Sequence, residues 1–197
     1  MVWRTLLAIA LFASLPHFIK AQIKSSATGV VLLPQGPVTR IPSPNRQWTL
    51  IFECPDYSKM RKLWIVDNSS QAKKLVKDYD RSLAIAWAPD GRRFFVDDAY
   101  GSSGSGSYVI DATTLKITDL AVIIANNVAD STQFFNSGHS YFQAERWISS
   151  HELLVVLFGH FDETHPSRLP RSFSIKYRVD LNGSAMTISQ RSVEEPY

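Results

Sequence analysis

Three stretches of this chain can be laid beneath one another, and that internal repeat constrains the fold more than any single motif. The first, "SPNRQWTLIFECPDYSKMRKLWIVDNSSQAKKLV", begins at Ser43, and the second, "APDGRRFFVDDAYGSSGSGSYVIDATTLKITDL", begins at Ala88. Pro44 matches Pro89, Trp48 and Leu50 fall near Phe94 and Phe95, and "LWIVD" ending at Asp67 matches "SYVID" ending at Asp111. A looser third copy is split between "ERWISSHELLVVLFGHF" and "FSIKYRVDLNGSAMTIS", with Asp180 in the place of Asp67 and Asp111. The first two copies are offset by about 45 residues, the length of one four-stranded repeating unit.

Each copy reads as a meander of short antiparallel strands. Runs such as "WTLIF", "LAIAWA", "RRFFV", "YVI" and "LLVVLF" are rich in β-branched and aromatic residues and are bounded by Gly, Pro, Asn or Asp. Asp90 and Gly91 stand where a tight hairpin needs positive φ, and "LNG" at 181–183 repeats the arrangement. Asp67, Asp111 and Asp180, each ending a third strand, are expected to accept bonds from amides two residues on and so close the next turn. The expected fold is all-β: β-propeller-like, four-stranded antiparallel repeats at roughly 37–77, 82–120 and 139–191, with extra residues near 121–138 and 161–171. A closed propeller generally needs at least four blades. The options are a small ring with an irregular fourth blade from 121–144, an oligomer covering the exposed strand edges, or an open arc of about three blades, which is the expectation.

Trp87, Pro89, Asp90, Gly91 and Asp111 fall on a pattern that resembles the TolB-type (WD-like) β-propeller repeat: Trp-Ser-Pro-Asp-Gly, strand, loop, strand ending in Asp, turn, last strand. Ala88 stands in the serine position. The match is good over Ala84–Leu120, fair over Ser43–Val76 and weak after Glu145; Asn45 replaces the aspartate of the first copy with no glycine after it, and "ISSHE" replaces the third turn. The resemblance implies a propeller-like binding scaffold or non-catalytic domain, and it carries no catalytic residue across.

The opening "MVWRTLLAIALFASLPHFIKAQ" has the layout of a secretory signal peptide over 1–21: Arg4 in front, Thr5–Leu15 apolar, and Ala21 before the cut. The apolar run is about half what a spanning helix needs, so residues 22–197 are expected as one secreted or periplasmic domain without a membrane span. Removing Arg4 and Lys20 leaves nineteen basic against eighteen acidic side chains. No sustained basic face is visible, so nucleic acid is not an expected partner. Cys54 is the only cysteine and forms no intrachain disulfide; it is read as a half-buried residue at a strand end. The "NSS" and "NGS" sites at Asn68 and Asn182 are read as turns.

Chemistry-bearing residues are few. "GHFDETHPSRLPR" gathers His160, Asp162, Glu163 and His165, residue types that hold divalent metal, but without a metalloprotease spacing or a dedicated third ligand. "VDDAYGSSGSGSY" has glycines but no Gly-Lys-Ser/Thr ending and no helix to follow, so it is a hairpin loop rather than a phosphate cradle. No Gly-x-Ser-x-Gly elbow is present. The expectation is a non-catalytic binding protein without cofactor that meets an envelope protein partner through loops 97–107, 121–144 and 159–171, with Asp97, Asp98, Tyr100, His160, Arg168 and Arg171 as contact residues. The alternatives are a metal-assisted hydrolase built on residues 160–165, and a cell-wall carbohydrate module using Tyr100 and Tyr141.

Overall fold

The computed structural model describes residues 29–56, 60–129, 131–161 and 172–193. The expected leader, together with Asp162, Glu163, His165, Arg168 and Arg171, lies outside them.

After a short strand β1 (Val31–Leu33), blade 1 is the four-stranded meander β2 (Val38–Pro42), β3 (Trp48–Glu53), β4 (Arg61–Asp67) and β5 (Lys73–Tyr79). Blade 2 follows as β6 (Leu83–Trp87), β7 (Arg93–Asp98), β8 (Gly104–Asp111) and β9 (Ile117–Asp119). Two helices, α1 (Leu120–Asn127) and α2 (Ser131–Phe135), lead to blade 3: β10 (Gly138–Trp147), β11 (Glu152–Phe161), β12 (Ser172–Asp180) and β13 (Ser184–Val193).

Blade 2 is the middle layer, which explains its continuous apolar runs. Successive side chains of a strand point to opposite faces, so Phe94, Val96 and Ile110 pack with Leu50, Phe52, Leu63 and Ile65 of blade 1. Phe95 and Val109 pack with Phe142, Val155, Leu157 and Tyr177 of blade 3. Leu120, Ile123 and Ile124 of α1 and Phe134 of α2 close that second core. Cys54 is buried in the first. β5, the outermost strand of blade 1, reads "KKLVKDY", and charge along such an edge discourages pairing with other chains.

The turns repeat as closely as the strands. The amides of Ser43 and Ala88 donate to the carbonyls of Trp48 and Arg93, and those of Arg46 and Gly91 to the carbonyls of Ser43 and Ala88. Gly91 has φ 70°, and Arg46, which replaces the glycine in blade 1, takes the same left-handed conformation at φ 59°. Asp67 accepts from the amides of Ser69 and Ser70, Asp111 from Thr113 and Thr114, Asp180 from Asn182, and Asp90 from Arg92.

Among the described residues the sheets do not close into a ring. Blade 1 is a separate four-stranded sheet, whereas blades 2 and 3 share a nine-stranded one. β1 pairs antiparallel with the inner strand β6 of blade 2. The segment offered above as an irregular fourth blade forms α1, α2 and the start of β10, so the closed-ring alternative does not hold and the expected open arc of three blades does. β10 is also longer than the irregular stretch read from sequence. Phe142 and Ala144 point inward between the outward-facing Gln143 and Glu145, until a bulge between Ala144 and Arg146 breaks the alternation.

Candidate functional site

The middle strand β8 forks. Its second half, Tyr108 to Ile110, pairs antiparallel with β9, and its first half, Gly104 and Ser105, pairs in parallel with Ser140 and Tyr141 of β10. β9 is only three residues long because Asp119 ends it and caps α1, accepting from the Ala121 amide at 2.9 Å. Between the two branches lies a cleft of about 140 Å³ lined by Tyr100, Ser105, Gly106, Tyr108, Asp119, Ala121, Phe135, Ser140 and Phe142.

Glycines make room for its phenols. A methyl group on Gly104 would stand 2.9 Å from the Tyr100 hydroxyl, and one on Gly106 would stand 2.6 Å from that of Tyr108. Tyr100 is 54% exposed and forms the outer rim. Burial, helped by the neighbouring Asp119, Asp98 and Tyr100, pushes the Tyr108 phenol above its usual range and keeps it neutral. Phe135 stands edge-on to Phe142, with ring centroids 5.4 Å apart. The serines are already engaged: Ser105 Oγ donates to the Phe142 carbonyl and accepts from its amide, and Ser140 Oγ donates to the Phe135 carbonyl.

Asp97 and Asp98 belong behind this cleft, not on its surface, which corrects their assignment as contact residues. They end strand β7 instead of opening a loop, and only 6% and 5% of each is exposed. Asp97 faces blade 3, where it accepts from Ser107 Oγ at 2.6 Å and from the Ala144 amide at 3.0 Å. Burial drives its carboxyl up to about 7 against those two bonds. Asp98 faces blade 1 and pairs with Lys77 Nζ at 3.1 Å. That ammonium also lies 5.0 Å from the Tyr79 ring centroid and 5.6 Å from that of Tyr108.

The other candidates are placed as follows. The loop expected over 97–107 shrinks to 99–103 and is tied to β10: the Ser140 amide donates to the Ser103 carbonyl, and the Tyr141 hydroxyl donates to that of Ser102 at 2.6 Å. Tyr141 also stacks on Phe158, which leaves it a poor sugar platform. His160 sits on β11 rather than in a loop, exposed and stacked on its cross-strand neighbour His139 at 4.3 Å. Among the described residues no group of three His, Cys, Asp or Glu is placed to hold a metal ion, and no helix is long and apolar enough to cross a membrane. A shallower depression of about 210 Å³ on blade 3 contains Glu152, Arg178 and Asp180, but Arg178 donates to both Glu152 oxygens, so its main charges satisfy each other. No sequence pattern marks Asp119 or Phe135, because only the fork brings them beside Tyr100 and Tyr108.

Fold and site together define a β-propeller-like protein: three antiparallel four-stranded blades in an open arc, with a cleft where the middle sheet divides. No family model matches the sequence, and no curated protein matches it. Among solved structures, the chain is similar to the β-propeller domain of the Trilobed protease from Pyrococcus furiosus, at 13% identity and TM-score 0.48 over 78% of this chain and 43% of that one. It is similar to a TolB protein from Agrobacterium tumefaciens at 12% identity and TM-score 0.44, over 80% and 51% of the two chains. The acylaminoacyl peptidase of Pyrococcus horikoshii gives 16% and 0.44, over 78% and 25%. The chain thus spans a quarter to a half of the length of these structures.

Proposed function

We propose that residues 22–197 act outside the cytoplasm, behind a cleaved leader, as a non-catalytic module that holds a protein partner at the strand end carrying loop 99–103 and the fork cleft. The observation that carries this reading is the cleft itself. A half-exposed tyrosine, a second phenol, two phenylalanines and one carboxylate sit on a scaffold packed on both sides. Such groups recognise another surface, and aromatic residues are the usual anchors of protein interfaces. The Ser–His pair of Ser149 and His151 sits in the β10–β11 turn, at the far end of β10 from the cleft, with Oγ and Nδ1 3.3 Å apart, and among the described residues no acid is hydrogen-bonded to the ring in support of nucleophilic chemistry.

The test is affinity capture from an envelope extract with the wild-type chain and with Tyr100→Arg. A single stoichiometric protein retained by the first and lost by the second is the expected result. Equal retention by both, or no enrichment over an unloaded matrix, removes the reading.

A further inference from the structure

We propose that the fork cleft is a seat for a cationic side chain, a lysine ammonium or arginine guanidinium offered by the partner, held between the rings of Tyr100, Tyr108 and Phe135 and the carboxylate of Asp119. The inference rests on the protein-binding reading above and names the chemistry that this cleft selects.

Four observations carry it. Aromatic faces attract cations through the ring quadrupole, more strongly when water is excluded, and four of the lining side chains, Tyr100, Tyr108, Phe135 and Phe142, are aromatic around a space of about 140 Å³, roomy enough for a side-chain head group. Asp119 makes no ion pair among the described residues. One of its oxygens caps α1, and no described donor reaches the other. One of these rings already meets a cation within the molecule, since Lys77 lies over Tyr108 with its own charge matched by Asp98. With the hydroxyls of Ser105 and Ser140 committed to backbone groups, the cleft offers a neutral sugar only its two phenols and Asp119, whereas a cation would also balance the Asp119 charge.

The test is an NMR titration of 15N-labelled residues 22–197 with n-butylammonium chloride, with n-butanol, sodium chloride and methyl glucoside as comparisons. The amides of Gly106, Ala121 and Ser140 should shift saturably, in the millimolar range, with butylammonium alone. Asp119→Asn should weaken binding about tenfold while leaving α1 in place, because asparagine caps a helix as well as aspartate does. Tyr100→Leu, which keeps the bulk but removes the π face, should weaken it several-fold. No saturable shift, equal shifts with butanol, a response to methyl glucoside instead, or undiminished binding in Asp119→Asn would each overturn the proposal. Partner capture that survives Asp119→Asn would leave the protein-binding reading standing without it.

Discussion

Asp97 and Asp98 are neighbours in the chain and serve different interfaces, because a strand sends successive side chains to opposite faces. Asp97 ties blade 2 to the Ala144 amide of blade 3, and Asp98 ties it to Lys77 of blade 1. The Asp97 carboxyl, raised to about 7 by burial, makes the blade 2–3 junction sensitive to pH. A raised carboxyl favours the folded state when protonated. Its contribution is therefore full below the unfolded value near 3.8, is lost as pH rises toward 7, and changes little beyond that. Urea unfolding from pH 4.5 to 7.5 should show a slope of up to about 1.4 kcal/mol per pH unit from this group, and Asp97→Asn, which can keep both hydrogen bonds, should flatten it. Gly159 is a second fixed point. A side chain there would strike the carbonyl of His139 on the paired strand, so Gly159→Ala should cost about 1–3 kcal/mol, visible as a lower urea midpoint with an unchanged slope.

At the scale of elements, the blades are linked by a recurring indole bond. Trp87, at the end of the first strand of blade 2, donates to the carbonyl of Ile41 in blade 1 at 3.1 Å, and Trp147, at the same position in blade 3, donates to the carbonyl of Ala86 in blade 2 at 3.1 Å. Ile41 and Ala86 are themselves equivalent, and blade 1 carries Pro42 where the others carry tryptophan. Trp87→Phe and Trp147→Phe keep the ring and lose the donor, so each should cost about 1 kcal/mol, and hydrogen exchange should quicken in the two blades that the lost bond joined. Trp87 was recognisable from the second repeat, and the turn aspartates were recognisable from their spacing. Trp147 was hidden because "ISSHE" replaces the turn that would have aligned it. The parallel pairing of β10 with β8 was not legible either: nothing local in "GSG" or "HSY" states that a strand some 35 residues later will take over half an edge.

For the whole molecule, the open arc depends on one short strand. β1 places Val31 and Leu33 in the core between blades 1 and 2, while Val30 packs against the core between blades 2 and 3. Leu33→Ala should therefore cost about 2–5 kcal/mol, and thermal melting should show blade 1 separating from blades 2 and 3 rather than a uniform loosening. By itself the sequence determined the repeat, the strand types, the turn residues and the three-blade count, because each depends on patterning within a few residues or on a fixed period. Only the tertiary structure decided that β8 forks, that Asp97 and Asp98 turn inward, and that Tyr100, Tyr108, Asp119 and Phe135 meet in one cleft. Those outcomes depend on which edge is left free when β9 stops at Asp119 and α1 begins, a competition between distant segments that no local pattern records.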